Sequence, residues 1–417
     1  MLRRKKAVSP EVPEAEPEAA PTAPSPQAVE ETVPQAVEET VPQVVEETVP
    51  QVVEEPVMDA AEEAGEHAVE SAAEEAAVEE EAVAVAAAAA GPKVVAQPVV
   101  ASLVGGIDLG GTKVAAAIIG PGHEVIAYSK RPTPDRGGPV DVLGVIVETI
   151  QSAAAEAGVN TSDLKGVGIG APGSVDSSAG TLSGAGNLPN WQGSYPLGDE
   201  LSKALGTPVM VGNDVQVGTN AEYLLGAGAG FNSLLGVFWG TGVGGGIILD
   251  GKAWKGRGRA GEIGHTLVRR GGARALNGLH GTVEAYAGRK SMEDKARREV
   301  KKGRRTSLFK IMKKRDKQSL SSTVWWHALE DGDELTEDLL HRAVTALSAG
   351  IASAVNLLDV EAVVIGGGLG VRFADTLVPE IIDGMGAYLL NPENPPAVKV
   401  AALGDNGGVI GASLLID

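Results

Sequence analysis

Two stretches of this 417-residue sequence repeat one pattern: an apolar run, a glycine-dense turn carrying a threonine, and a second apolar run. "SLVGGIDLGGTKVAAAIIG" starts at Ser102 and "SLLGVFWGTGVGGGIILDGKAW" at Ser233. Each reads as strand, tight turn, strand, and the second ends in an Asp250-Gly251 hairpin signal. Repetition of such a hairpin about 130 positions later points to a duplicated α/β unit with a cleft between its halves. The intervening sequence agrees. "VGIGAPGSVD" reads as a buried strand ending in a loop, and "DLLHRAVTALSAGIASAVNLLD" has the apolar spacing of a buried helix. That helix feeds "AVVIGGGLG", a strand that opens at glycines into another helix.

The glycine turns exclude two familiar phosphate binders. A P-loop needs Lys directly after the glycine five positions beyond the first; from Gly106 that glycine is Gly111, and Thr112 follows it. A dinucleotide fingerprint needs a helix after the turn, whereas "VAAAII" continues as a strand. What remains is a hairpin in which Gly110, Gly111 and the Thr112 hydroxyl approach an anion closely and Lys113 adds charge. Asp108 at the strand end is placed to orient a hydrated Mg²⁺. Gly240, Thr241 and Gly242 offer a second such turn, so two hairpins could cradle adjacent phosphates. Gly367 and Gly368 at the later strand-to-helix junction permit flat approach of an adenine-ribose unit. Any one of these turns taken alone reads equally well as close packing.

Composition bears mainly on the N-terminal part. Residues 1–100 carry 22 acids against 5 bases, and from Gln27 the eight-residue units "QAVEETVP" and "QVVEETVP" recur with a proline in each. Proline at that spacing blocks continuous helix, and a Pro/Glu/Val/Gln segment without aromatics cannot bury enough apolar surface to fold. Residues 1–100 therefore read as a disordered acidic tail, a spacer or a docking arm for a partner. The remaining charge is close to balanced and gives no support to a nucleic-acid partner. The longest apolar stretch there, "AVAVAAAAA", is far short of the roughly 20 residues a bilayer span needs, so a soluble, cytoplasmic protein without membrane contact is expected. Cysteine is absent, which removes disulfides, thiolate metal sites and cysteine nucleophiles.

The motifs "DLGGTK", "GAPGSVD", "NLPNW", "VGNDV", "GTGVGGGII", "GEIGH", "VEAYAG" and "VVIGGGLG" occur in an order that resembles the ROK family of sugar kinases and sugar-responsive repressors. That family lies within the actin-like ATPase superfamily. The resemblance covers Leu103 to Asp417 and leans toward its ATP-dependent glucokinases. It implies a two-domain actin-like (ribonuclease H-like) α/β fold with duplicated mixed sheets. The small domain would span 101–212, joined by a C-terminal helix at about 404–417, and the large domain 213–403. It implies Mg-ATP and a hexose as partners, commonly in a homodimer. Asp214 is similar in position to the family's catalytic base, with Asn213 holding a neighbouring hydroxyl. Glu262, His265 and Glu284 would receive sugar hydroxyls, and Gly173 and Asn187 would lie at the pocket rim. Trp191 reads either as a platform for a sugar ring or as a buried tryptophan.

In zinc-containing relatives three cysteines follow the histidine of E-x-G-H. The corresponding positions here are Ala275, Asn277 and Thr282, so no structural zinc is expected and packing and hydrogen bonds must hold the loop. Arg289 to Lys317 carries fourteen bases against four acids and reads as a solvated helical surface. The function implied is phosphorylation of a hexose, glucose first, with mannose, fructose or an N-acetylhexosamine as alternatives. ATP is favoured over polyphosphate as donor by the full third glycine site. A sugar-sensing repressor would need a helix-turn-helix ahead of residue 100, and no such pattern is present.

Overall fold

The computed structural model describes residues 102–416, so the acidic repeat and the expectations placed on residues 1–100 lie outside the described residues. The first sheet runs in the order β3 (Val125–Pro132), β2 (Lys113–Ile119), β1 (Val104–Leu109), β4 (Val167–Ala171), β8 (Val209–Asn213). The second runs β11 (Lys252–Ala253), β10 (Val243–Leu249), β9 (Leu234–Trp239), β12 (Ala362–Gly366), β13 (Ala397–Val400). In both, the first three strands are antiparallel and the third starts a parallel run, so the second sheet repeats the first strand for strand. The fold is therefore the duplicated mixed α/β architecture that the two glycine hairpins implied. A third, small sheet of β5 (Ser174–Asp176), β6 (Thr181–Ser183) and β7 (Ser194–Tyr195) meets the first through β5 and β8.

Central strands such as β4 and β12 are buried along their whole length, which is why they read as unbroken apolar runs rather than alternating ones. Helices α1 (Pro139–Glu156) and α2 (Leu197–Leu205) pack with the first sheet. The second sheet shares one apolar core with α4 (Val283–Ala287), α5 (Arg289–Lys301), α6 (Leu308–Lys314), α7 (Ser322–Glu330), α8 (Glu334–Leu358), α9 (Gly367–Arg372) and α10 (Leu377–Gly386). Two large apolar clusters result, one drawn from residues 103–211 and the other from 235–385.

Helix α3 (Asp214–Leu225) lies between them, touching β10 on one side and α11 (Gly407–Ser413) on the other. Its N-cap is Asn213, whose Oδ1 accepts from the backbone N–H of Val215 at 3.2 Å and Gln216 at 3.1 Å. Helix α11 packs directly on β1 and β4. The contact is possible because Gly106 and Gly168 sit side by side in the sheet, where a Cβ would overlap the carbonyls of Val409 and Ala412. Among the described residues no helix is long and apolar enough to cross a membrane.

Candidate active site

The β1–β2 turn is closed by Gly110 N–H donating to the Lys113 carbonyl at 2.9 Å, and the β9–β10 turn by Gly240 N–H donating to the Gly242 carbonyl at 3.0 Å. A chain of contacts joins the two turns. Lys290 N–H donates to the Thr241 carbonyl at 3.1 Å, while Lys290 Nζ donates to Asn187 Oδ1 at 3.1 Å. Asn187 in turn lies where a Cβ on Gly111 would come within 2.8 Å of it. Arg289 fixes the second turn from behind, donating to Thr241 Oγ1 at 3.0 Å and to the Leu320 carbonyl at 2.9 Å. The Thr241 hydroxyl oxygen is thus already engaged, and Arg289 and Lys290 are contacts the motifs did not single out.

A cavity of about 610 Å³ opens beside these turns and takes five of the expected residues into its wall: Asp108, Lys113, Asp214, Gly367 and Gly368. Gly367 has φ +80° and sits against the Trp239 carbonyl, where a Cβ would come to 2.5 Å, so only glycine passes that corner without strain. Gly240 faces Gly368, leaving the second turn and the third glycine site adjacent. Phe238, Ser322, Arg372 and Asp405 also line the cavity, and sequence motifs pointed to none of them.

Burial pushes the Asp108 carboxyl above its usual range, with Lys113 lowering it and Asp405 raising it. Asp214 is pushed up to about 7, first by burial, then by Asp108 and Glu262, against the Val215 N–H that donates to its Oδ1 at 2.9 Å. Among the described residues no group of three or more histidine or acid side chains is arranged to hold a metal ion. Asp108 with Asp405 beside it matches the one or two carboxylates by which Mg²⁺ is held when phosphates and water supply its other ligands.

Glu262, His265 and Glu284 do not line that cavity but are tied to it and to one another. His265 Nδ1 lies 3.4 Å from Glu262 Oε2, and the Glu262 carboxylate raises the imidazole's pKa, opposed by burial and aided by Glu284. Glu284 Oε2 accepts from Val243 N–H at 3.0 Å and lies where a Cβ on Gly242 would go, so the segment carrying Glu284 is latched to the second turn. Asn213 has less to offer a ligand than its motif suggested. Its Oδ1 caps α3 and its Nδ2 donates to the Gly173 carbonyl at 3.3 Å, which leaves one N–H. Gly173, at φ +96°, makes the turn that brings that carbonyl to Asn213. Trp191 is buried, with Nε1 donating to the Leu182 carbonyl at 3.2 Å, so it packs rather than stacks on a ligand.

The loop from His265 to Glu284 is held by backbone pairing. Ala275 is 3% exposed and donates to the Leu279 carbonyl at 2.8 Å; Gly281 donates to Ala273 at 2.7 Å. The Asn277 amide nitrogen lies 3.1 Å from His265 Nε2. Exposure to EDTA is therefore expected to leave the thermal midpoint unchanged. With His265 expected to receive a sugar hydroxyl, Asn277→Ala, by releasing the imidazole, should raise the sugar KM roughly threefold to tenfold, the ~1 kcal/mol typical of one hydrogen bond. A melt series with and without chelator, beside steady-state kinetics of the variant, checks both.

Comparison with known proteins adds four findings. The family model for the ROK family matches residues 104–417. A glucokinase of Halalkalibacterium halodurans is 31% identical over 314 residues, covering 75% of this chain and 94% of that protein. An N-acetyl-D-glucosamine kinase of Pasteurella multocida is 29% identical, covering 74% and 98%. Among solved structures, a ROK family glucokinase from Streptomyces griseus in complex with glucose and AMPPNP superposes with a TM-score of 0.65 at 29% identity, covering 75% of this chain and 98% of that one.

Proposed function

The chain belongs to the ROK family, and from that premise we propose that it transfers the γ-phosphoryl group of Mg-ATP to a hexose, glucose first, with Asp214 as general base. At the coarser level it is an ATP-dependent sugar kinase. The observation that carries the finer reading is Asp214 itself: a carboxylate poised near neutrality at the head of α3, in the wall of the cavity that also holds Asp108, Lys113 and the Gly367-Gly368 corner.

In this reading the nucleotide lies along the glycine turns, with backbone N–H groups and Lys113 facing its phosphates. Bound Mg²⁺, held by Asp108 through water, would neutralise charge on the phosphate oxygens. Glu262, His265 and Glu284 orient the sugar by its hydroxyls. Asp214 accepts the proton of the attacking hydroxyl as the new O–P bond forms and the bond to the ADP oxygen breaks. Closure of the two sheets' lobes on each other excludes water as a competing acceptor.

A coupled assay with ATP across glucose, mannose, fructose and N-acetylglucosamine tests the substrate. Glucose is expected to give the highest kcat/KM; preference for the N-acetyl sugar would replace the proposal with the activity named for the Pasteurella relative. The base also fixes a pH dependence. Because Asp214 must be deprotonated to act, kcat/KM should fall about tenfold per unit below pH ~7, its folded-state value in the free protein. A profile that stays flat through pH 6 would contradict this.

A further inference from the structure

A second cavity, of about 440 Å³, shares no lining residue with the nucleotide cleft. Six cations line it, Arg269, Arg274, Lys295, Arg298, Lys302 and Arg342, and no acid does. They come from three walls: the loop after His265, helix α5 and helix α8. Lys295, Arg298 and Lys302 fall at helical spacing on and just beyond α5, so they share one face.

The acids behind them are stretched thin. Glu299 serves both Lys295 at 2.7 Å and Lys302 at 3.1 Å. Asp338 is shared by Arg342 and Arg304, each at 2.8 Å, and Asp294 meets Arg298 at 3.1 Å. The side chains of Arg269 and Arg274 have neither an ion pair nor a hydrogen bond among the described residues. Ser291 lines the cavity at 5% exposure, and its hydroxyl also makes no hydrogen bond there. Tyr286, whose hydroxyl oxygen accepts from Ala273 N–H at 3.0 Å, keeps its proton to donate.

We propose that this cavity is a second anion site, for a small molecule carrying at least two phosphoryl groups. Arginine forks without partners match phosphate oxygens, which accept two parallel N–H bonds at once. The volume, about fifteen waters at ~30 Å³ each, exceeds what one phosphate fills, and the charges on separate walls favour a ligand that spans them. A concave arrangement of cations on three walls selects a compact anion over a nucleic-acid duplex, which needs an extended stripe. The site reaches the sugar pocket through α4, which turns Glu284 toward Val243 and presents Ala285 and Tyr286 to the cavity. The inference stands on charge and shape and does not depend on the kinase reading.

Calorimetric titration of sodium pyrophosphate into the full chain, with excess Mg²⁺ and with AMPPNP filling the nucleotide cleft, tests it. One saturable site is expected, weakening as salt rises and losing at least about tenfold in affinity in Arg269→Gln/Arg274→Gln, about 1.4 kcal/mol. Unchanged AMPPNP affinity in that variant reports an intact fold. Pyrophosphate should also shield Lys295 and Lys302 of the unsubstituted chain from acylation, a reading that needs no variant. Absence of saturable binding, or binding that neither the arginine pair nor lysine shielding registers, would overturn the proposal. So would tight binding of duplex DNA at this face without binding of pyrophosphate.

Discussion

Asp214→Asn should lower kcat for hexose phosphorylation by about 10²–10⁴, the contribution typical of a positioned general base, while AMPPNP and sugar still bind. Asparagine keeps the shape and the bond from Val215 N–H but cannot take a proton at the moment of attack. The same substitution should stabilise the fold, and the sign follows from linkage. The folded-state pKa of about 7 lies above the ordinary value of 3.8, so the native protein holds a proton that the unfolded chain has released between those limits. Stability contributed by that proton is present at low pH and is lost as pH rises from about 4 to 7. The gap between the variant and the natural chain should therefore widen across that window. It should reach on the order of 2 kcal/mol, less than three pH units at 1.36 kcal/mol each because the open cleft screens the charge. Denaturant melts at pH 5 and 8, run beside the kinetics, measure both effects; intact turnover in the variant would remove Asp214 from the role of base.

The second large effect concerns the floor on which Asp214 rests. Gly168→Val should cost about 3 kcal/mol or more, because its Cβ would occupy the Ala412 carbonyl and neither β4 nor α11 can withdraw from a close-packed layer. Displacing α11 also moves Gly408, which packs against Asp108, and lifts the support from α3. Loss of nucleotide binding should thus accompany loss of stability. Gly144→Ala is the matched control. It lies inside α1, where an added Cβ meets nothing, so exchanging glycine for a better helix former should stabilise by about 0.5–1 kcal/mol. Equal melts for the two glycine variants would mean that α11 does not pack on the sheet as described.

What the sequence reveals here is what local chemistry enforces. The hairpins were legible because a tight turn between apolar strands demands glycine; Asp250 and Gly251 adopt φ +50° and +71°, the pair of positive angles their order in the sequence signals. Helix α8 was legible from apolar spacing alone. Asn213 was legible only in part, since one asparagine serves equally as helix cap and as ligand donor, and only geometry shows that its Oδ1 caps α3 while its Nδ2 donates to the Gly173 carbonyl.

Contacts between distant segments left no such trace. Glu222, 3% exposed, accepts from the Ala402 and Leu403 N–H groups some 180 positions away, tying α3 to the segment that carries Asp405. The Lys290–Asn187 link across the two turns spans 103 positions. Neither residue type is unusual where it stands, so no spacing announces the pairing. The second cavity was hidden for the same reason: its cations read as a solvated helical surface until the loop bearing Arg269 and Arg274 is folded against them.

The most direct test of the central claim is a crystal structure of the chain with glucose, AMPPNP and Mg²⁺. The account predicts an Asp214 carboxylate oxygen within about 2.6–3.2 Å of a sugar hydroxyl that points at the γ-phosphorus. A hydroxyl in line with that phosphorus but bonded to any other acid, with Asp214 facing away, would contradict it.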